Sequence, residues 1–337
     1  MSVTVNSTRT VSKARYLSAA FMAEEQAKLW PRVWLLAGAA RELVVDGDFF
    51  VFELGAQSIL VVRQGGQPRA FFNVCQHRGN LLCPEERGRV GEFRCAYHHW
   101  TYGLDGQCTA TPGVTVERPH LSPLECEVRH GFVWIRMTPG GETLDAFLAP
   151  VEASLTHARP ADFALTSART VEVEANWKTS VDASNESYHL PALHPELAEH
   201  VDLQGITVEL RGIHSEMRIP LRQGDMKVQV YLFPNVQLNF GGDTLELYRH
   251  RPHRSLPEQM YFDEETYRRG AVGVPERRRF RHGAEALGPV MGRDVDLLPL
   301  LHRGMRSQGF ANLQLTVEEA AITNMHRAID LYLAVHR

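Results

Sequence analysis

The sequence has no long apolar run and only a small excess of charge. Its 337 residues carry 36 basic and 40 acidic side chains, which gives a formal net charge of −4. Binding to nucleic acid or to an anionic membrane is therefore not expected. A membrane-spanning helix needs about 20 continuous apolar residues, and the sequence contains no such stretch. The first residues, MSVTVNSTRTVSKARYL, lack the apolar core of a signal peptide, so a cytoplasmic location is expected.

Cysteine is also scarce, and the five cysteines are a poor basis for a disulfide framework. Their number is odd, the chain is long, and no secretion signal is visible, all of which argue against paired cysteines. Four of the five lie between residues 75 and 108. Such clustering indicates a metal site.

The hydrophobic pattern changes along the chain and predicts an α+β fold. Apolar side chains recur at helical spacing in residues 15–31. Short β-like runs such as FFVFEL and SILVVR then alternate with glycine-rich turns. Later runs alternate between apolar and polar residues, as in an antiparallel sheet, and helical stripes follow them. The predicted parts are an N-terminal helical segment that packs on the last domain (1–40), a β-rich domain inserted after it (41–157), and a domain with an antiparallel sheet flanked by helices (158–337).

A pair of short motifs in the β-rich part offers two thiols and two imidazoles. Cys75 and His77 are separated by one residue, Cys95 and His98 by two, and seventeen residues lie between the two halves. A Rieske-type [2Fe–2S] cluster needs this ligand set, because two Cys bind one iron and two His bind the other. Zinc also accepts two Cys and two His, although the common zinc fingers space them differently. The motif favours the cluster, with a zinc site as the alternative.

A second motif, ESYHLPALHP, lies further along the chain and carries two more histidines. His189 and His194 are five positions apart, and Glu186 precedes the first by three. Two imidazoles and one carboxylate on one side of a ferrous ion leave positions open for O₂. Pro191 interrupts a helix between the histidines, so regular helical geometry is not required. Taken alone, this spacing also fits two unrelated histidines, and the preceding Cys/His motif strengthens the iron interpretation.

Together the two motifs resemble those of a known family. CQHRGN…CAYHHWTYGLDG is similar to the Rieske motif of the ring-hydroxylating, non-haem iron oxygenase α subunits, and NWK…ESYHLPALHP is similar to their iron motif. The resemblance implies that the Cys/His set binds the cluster and that His189 and His194 bind mononuclear Fe(II). Several positions depart from the family, and two of them lie in the motifs quoted above. His99 stands where Gly is usual, and Glu186 stands where many members have Asp.

The same resemblance implies a role for Glu186 and a third iron ligand. Glu186 would be the acidic bridge between His189 and His98 of a neighbouring subunit. The segment that begins RDVDLLPLLHRG resembles the family's stretch with an acidic ligand, which aligns with Asp294. Asp296 is the alternative ligand, and helix capping is the simpler explanation for either residue. Glu318 and Glu319 are further candidates, but their pattern is typical of solvated helix charges.

The resemblance also implies an activity and partners. The chain is expected to be a terminal oxygenase component that uses NAD(P)H-derived electrons and O₂ to hydroxylate, dihydroxylate or demethylate a small, ring-containing compound. The sequence has no glycine-rich dinucleotide loop, so a separate reductase, with or without a ferredoxin, would supply the electrons. Because the short path between centres crosses a subunit boundary in this family, a homotrimer is implied. A Rieske-type electron carrier or redox sensor without catalytic iron, and a zinc-stabilised binding protein, are the rival hypotheses.

A weaker prediction concerns the substrate pocket. The stretch FPNVQLNFGGDTLELYRHRPH resembles a part of the sheet that lines the active site in this family. By the resemblance, the side chains that could face the substrate are Phe233, Asn235, Gln237 and Asn239. The run is equally typical of an ordinary hairpin that turns at Gly241 and Gly242.

Overall fold

The computed structural model describes residues 9–273, 275–280 and 287–334. Residues 1–8 and 335–337, which begin the first predicted domain and end the last, lie outside the described residues. The described chain forms two compact units. One consists of Trp30–Phe147, and the other combines the residues before Trp30 with those from Leu148 onward. The predicted α+β class is confirmed.

The unit Trp30–Phe147 consists mainly of short strands in two sheets. A seven-stranded sheet has the order β2-β11-β10-β5-β4-β3-β6, and a three-stranded sheet has the order β7-β8-β9. The strands are β2 (Leu35–Ala39), β3 (Asp48–Leu54), β4 (Gln57–Gln64), β5 (Gln67–Phe72), β6 (Arg87–Arg89), β7 (Phe93–Arg94), β8 (Thr101–Tyr102), β9 (Cys108–Ala110), β10 (Pro123–Arg129) and β11 (Phe132–Arg136). A short helix, α3 (Leu144–Leu148), follows them.

Glycine turns and buried apolar side chains explain why this unit is made of hairpins. Gly65 and Gly66 join β4 to β5 with φ angles of 62° and 81°, a conformation that suits the right-handed twist of a hairpin. The middle of β4, Ile59 to Val62, is fully buried. Cys75 and Cys95 belong to the same apolar core as Phe49, Leu60 and Val62. The core of this unit therefore surrounds both cysteines of the predicted cluster motif.

The other unit is built around an eight-stranded sheet in the order β13-β14-β15-β16-β17-β18-β12-β19. Neighbouring strands of this sheet are antiparallel, except that β12 and β19 run parallel to each other. The strands are β12 (Phe163–Val173), β13 (Thr207–Arg211), β14 (His214–Pro220), β15 (Met226–Leu232), β16 (Val236–Gly241), β17 (Thr244–Pro252), β18 (Met260–Arg269) and β19 (Glu276–Phe280). A separate two-stranded sheet pairs β1 (Arg9–Ser12) with β20 (Asn312–Leu315).

Helices of the same unit carry or support the predicted iron motif. They are α1 (Ala14–Leu17), α2 (Ala19–Glu24), a π-helical turn (Glu25–Leu29), α4 (Glu152–Ala158), α5 (Trp177–Ser184), α6 (Leu190–Leu193), α7 (Pro289–Met305) and α8 (Ala320–Ala334). Within the described ranges, no helix is long and apolar enough to cross a membrane.

Helix α5 is held in the protein by buried polar contacts at its first turn. The side chain of Asn176 caps the helix by accepting a hydrogen bond from the Lys178 N–H, at 3.0 Å. The Lys178 ammonium is fully buried and lies 2.8 Å from Glu25, which is buried as well. Two buried charges are tolerated only when they are paired, so this ion pair ties α5 to the π-helical turn. The end of α5 leads directly into the iron motif.

Candidate active site and metal centres

Two loops with the same backbone hydrogen bonds present the predicted cluster ligands. In the first loop the Cys75 N–H donates to the Asn80 carbonyl, and the Cys75 carbonyl accepts from the Gly79 N–H. In the second loop, the Cys95 carbonyl accepts a hydrogen bond from the His99 N–H, and the Cys95 N–H donates to the Trp100 carbonyl. Each loop is therefore a tight turn that places a cysteine and a histidine side by side.

The two equivalent turns show the backbone conformation that His99 adopts at a position where the family usually has glycine. Gly79 occupies the fourth position after Cys75 with a φ of 72°, and His99 occupies the same position after Cys95 with a φ of 58°. Glycine adopts this left-handed conformation freely, whereas other residues carry a steric cost. His99 has a partner for its ring, because Nδ1 lies 3.1 Å from the Arg94 guanidinium. The loop thus keeps its shape with a residue other than glycine at this position.

The thiols of these loops are buried and the imidazoles lie nearer the surface. Cys75 and Cys95 are 2% and 1% exposed, whereas His77 is exposed and His98 is half-buried. The two imidazole rings are 4.6 Å apart between centroids, and His77 stacks on Trp100. Desolvation and the charge of His77 lower the pKa of His98, which favours the neutral imidazole that a metal requires.

All five cysteines are free thiols in the structure. Cys75 and Cys95 each begin one of the two loops that carry the histidines. Cys83 and Cys108 are also buried, and burial raises the pKa of Cys83 to about 12. The donor set of two thiols and two imidazoles, partly shielded from water, suits a [2Fe–2S] cluster with mixed ligands.

Tyr102 contacts one of the cluster thiols and provides a test of the cluster assignment. Its hydroxyl oxygen accepts a hydrogen bond from the Gln76 N–H at 3.0 Å and lies 3.4 Å from Cys75 Sγ. The hydroxyl proton is therefore free to donate to the sulfur, and such bonds raise the reduction potential of a cluster. We expect Tyr102→Phe to lower the potential by on the order of 50 mV.

The potential can be measured by a dithionite titration followed by the EPR signal of the reduced cluster. Tyr97→Phe is a suitable control, because Tyr97 is 56% exposed and its hydroxyl contacts Arg78 instead of a thiol. An unchanged potential in Tyr102→Phe would contradict a hydrogen bond from this hydroxyl to a cluster ligand.

The sequence pattern predicts a helix that holds NESYH (residues 185–189), but this part of the iron motif lies in a loop. Helix α5 ends at Ser184, and Glu186 to His189 form the turn between α5 and α6. The Glu186 carboxylate explains the turn, because it accepts hydrogen bonds from the backbone N–H groups of Tyr188 and His189. These bonds occupy backbone donors that the first turn of a helix would leave free.

The same carboxylate orients the His189 ring. Glu186 Oε1 is hydrogen-bonded to His189 Nδ1, which leaves Nε2 as the free nitrogen. Burial disfavours the protonated imidazole of His189, but the hydrogen bond and charge of Glu186 outweigh that effect and raise its pKa. A carboxylate behind an imidazole in this way is the common partner of a metal-binding histidine.

The fold brings Asp294 to the two histidines from a distant part of the chain. Asp294 lies on α7, and its Oδ1 is 2.6 Å from His194 Nε2 and 3.8 Å from His189 Nε2. One possible ligand atom from each of the three residues lies within 4.8 Å of the other two. His194 is fully buried. Asp296 lies on the same helix but is exposed. Glu318, which comes after this helix in the chain, is also exposed. The arrangement matches the donor set of two imidazoles and one carboxylate that ferrous iron binds.

Cavities lie on both sides of this group. One has a volume of about 430 Å³ and the other of about 610 Å³, and Ala183, Glu186, His189 and Asp294 line both. The larger cavity is bounded mainly by apolar residues such as Leu297, Leu301 and Phe310. The smaller one combines apolar residues with several polar side chains of the sheet. A small organic molecule therefore has room next to the candidate metal ligands.

The predicted pocket residues divide into two pairs. Gln237 and Asn239 line the smaller cavity. Phe233 stacks against Tyr332, and the side chain of Asn235 donates to the His250 carbonyl, so both make contacts within the protein. The same cavity wall includes polar residues that the sequence pattern did not predict, among them Glu246, Tyr248 and Glu264. Their spacing along β17 and β18 was visible, but nothing in the sequence indicates that this face of the sheet borders a cavity.

Two family models match the chain. Residues 33–122 match the Rieske [2Fe-2S] domain, and residues 160–231 match the catalytic domain of ring-hydroxylating α subunits. The glycine betaine monooxygenase oxygenase subunit of Pseudomonas aeruginosa (strain UCBPP-PA14) is 32% identical over 176 residues, which are 50% of this chain and 41% of that protein. The carnitine monooxygenase oxygenase subunit of Escherichia coli (strain K12) is 30% identical over 188 residues, which are 53% and 50%.

Other relatives include a dioxygenase and solved structures. The biphenyl 2,3-dioxygenase α subunit of Rhodococcus jostii (strain RHA1) is 27% identical over 59% of this chain and 47% of that protein. The alignments therefore span about half the length of these relatives. The quaternary ammonium Rieske monooxygenase CntA, in complex with an inhibitor, superposes with a TM-score of 0.86 at 20% identity, over 96% of both chains. This similarity shows that the fold is shared.

The two domain matches agree with the two sequence motifs. In both matched domains the chain resembles the Rieske non-haem iron oxygenase α subunits, as the motifs predict. It has a Rieske [2Fe–2S] domain and a catalytic domain of the mononuclear iron type. The relatives named above are mono- and dioxygenases of this family.

Proposed function

We propose that this protein is the terminal oxygenase component of a Rieske oxygenase system. The proposal rests on one observation: His189, His194 and Asp294 converge at a cavity large enough for a small organic substrate. In this proposal the three residues bind Fe(II), and the cluster ligands are Cys75, His77, Cys95 and His98. When bound, the iron would supply a site for O₂ activation and the cluster would supply single electrons.

The residues of the chain account for several requirements of such a site. Glu186 fixes the tautomer of His189, so that Nε2 faces Asp294. His194 is buried at the end of α6, next to Pro195, which restricts its backbone. Apolar side chains of α7, including Leu297 and Leu301, form an apolar wall of the larger cavity. Together these contacts hold the proposed ligands in place before substrate binds.

The proposed electron supply needs other proteins. The sequence offers no dinucleotide-binding loop, so we propose a separate NAD(P)H-dependent reductase, with or without a ferredoxin, as the donor. Within the oxygenase we propose that Glu186 connects His189 to His98 of a neighbouring subunit in a homotrimer. A related quaternary ammonium Rieske monooxygenase has a structure that gave insights into carnitine oxidation and inter-subunit electron transfer. That relative supports the inter-subunit path but does not establish it for this chain.

The relatives favour a quaternary ammonium compound as the substrate over a ring compound. The glycine betaine and carnitine monooxygenase subunits are 30–32% identical to this chain, whereas the biphenyl dioxygenase subunit is 27% identical. We therefore propose the oxidative demethylation or hydroxylation of a small quaternary ammonium compound. An aromatic ring substrate, as the sequence analysis expects, remains the second candidate because of the biphenyl dioxygenase relative.

Iron analysis and a substrate screen test the proposed function together. We expect about three iron atoms per chain, two in the cluster and one mononuclear, whereas a redox carrier would contain about two. With a surrogate reductase and NADH, a substrate should stimulate O₂ uptake, and demethylation should release formaldehyde. A colourless protein with bound zinc, or a full iron content without any O₂-dependent product across ammonium and aromatic compounds, would contradict the proposal.

A further inference from the structure

A row of polar side chains crosses the inner face of the large sheet at the smaller cavity. Strand register places Gln237 opposite Tyr248 and Tyr248 opposite Glu264. The neighbouring row pairs Asn239 with Glu246. All five residues line the cavity of about 430 Å³ that also contains His189 and Asp294. A sheet face that packs on helices is ordinarily apolar, so polar side chains here indicate contact with something other than the protein core.

One carboxylate of this wall has no cationic partner among the residues that the structure describes. Glu264 lies 3.1 Å from the Arg169 guanidinium, so its charge is compensated. Glu246 accepts a hydrogen bond from the Tyr248 hydroxyl at 3.0 Å. No lysine or arginine of the described residues forms an ion pair with it. Lys227, on β15, also lines the smaller cavity, and its side chain is exposed.

The buried side chains of the wall show that this part of the cavity is electronegative. Burial raises the pKa of Tyr248, and the charges of Glu246, Glu264 and Asp294 raise it further. Gln237 is fully buried, and its Nε2 donates to the Ser184 carbonyl at 3.0 Å. Its Oε1 has no hydrogen-bond partner among the described residues. This amide oxygen carries a partial negative charge, which adds to the electronegative character of the wall.

We propose that Glu246 is a specificity-determining residue that pairs with a positively charged group of the substrate, so that the cavity selects compact organic cations. The inference rests on the proposed function and assigns the cation to a particular part of the site. Tyr248 adds an aromatic ring beside the carboxylate, a combination suited to quaternary ammonium groups. The cation would thus be held at the sheet wall, with the rest of the substrate toward His189 and Asp294.

Pairs of ligands that differ only in charge test the proposal without any mutation. Choline and 3,3-dimethylbutan-1-ol have nearly the same shape, as do glycine betaine and 3,3-dimethylbutanoate, because a quaternary carbon replaces the quaternary nitrogen. Binding to the holoprotein can be measured by anaerobic calorimetry. We expect at least one of the two ammonium compounds to bind about tenfold or more tightly than its carbon analogue. Equal binding within both pairs, or no binding of either ammonium compound, would overturn the proposal.

A charge-neutral variant then tests the residue. Glu246→Gln should weaken binding of the preferred cation about tenfold and leave its carbon analogue unchanged. Asp243→Asn is the matched control, because Asp243 is an exposed acid on the turn between β16 and β17 and does not line the cavity. A cation affinity that falls equally in both variants would assign the effect to net charge and overturn the role of Glu246. A Glu246→Gln protein should keep the wild-type iron content and melting temperature.

The two proposals fail in different ways. If wild-type protein with three irons per chain oxidises an uncharged aromatic compound and binds neither cation, the oxygenase function stands and the cation site is wrong. If mononuclear iron is absent from the purified and iron-reconstituted holoprotein but the cations still bind with the dependence on Glu246, the oxygenase function is wrong and the cation site stands.

Discussion

Replacement of Asp294 by alanine should remove the mononuclear iron and leave the [2Fe–2S] cluster intact. Iron content should fall from about three to about two atoms per chain, and substrate oxidation should fall to background. The physical reason is the loss of the carboxylate whose Oδ1 lies nearest to both imidazole nitrogens, at 2.6 Å from His194 and 3.8 Å from His189. Two imidazoles without this anion bind ferrous iron more weakly and leave its charge less compensated.

Asp296 provides a matched control on the same helix. It is exposed, and Asp294 is the acid that the fold places beside the histidines. Asp296→Ala should therefore retain three irons and full activity. Iron analysis, the visible spectrum of the cluster and product formation with a surrogate reductase measure the three expected properties. If Asp294→Ala keeps its mononuclear iron and Asp296→Ala loses it, the assignment moves to Asp296.

A second large effect is expected for Glu186. Glu186→Ala should retain both metal centres and lose turnover by about 100-fold. The carboxylate holds His189 Nδ1, and in the proposed trimer it also connects to His98 of a neighbouring subunit. The variant retains the three proposed iron ligands, His189, His194 and Asp294, but loses the proposed connection between centres. Glu186→Gln, which keeps the shape but not the charge, should have an intermediate effect.

Single-turnover measurements separate the proposed connection from a purely structural role. In protein reduced beforehand, O₂ and substrate should oxidise the cluster rapidly in the wild type and slowly in Glu186→Ala. Glu199→Ala is the control, because Glu199 is an exposed acid in the same region. Normal turnover in Glu186→Ala would refute the bridge, and loss of iron from this variant would show that Glu186 mainly supports His189.

The local motifs could be recognised without the structure because their residues are close in sequence. Each Cys-His pair lies within a single turn, where the spacing of the side chains largely determines what they can bind together. His189 and His194 are likewise joined by a short segment that two prolines restrict. The unusual His99 was also visible, since the family usually has glycine there. Its φ of 58° shows the backbone conformation that makes glycine the usual residue.

Other features were not accessible from the sequence pattern. The helix expected to hold NESYH ends at Ser184, because the Glu186 side chain captures the backbone N–H groups that follow. Side-chain bonds of this kind compete with helix formation and leave little trace in hydrophobic periodicity. Along β17, Glu246 and Tyr248 alternate with leucines, a pattern that solvent-facing residues of a strand would also show. Only the position of the sheet relative to α5 and α7 shows that they border a cavity.

Residue types and their spacing were enough to predict the two metal motifs and most of the proposed metal ligands. The reason is that cluster and iron chemistry require particular residues at short, fixed spacings. The fold was needed to show that Asp294 lies next to His194, which is 100 positions away, and to show which strand residues face the cavity. Those outcomes depend on helix packing and strand register, which arise from contacts across the whole domain and not from neighbouring residues.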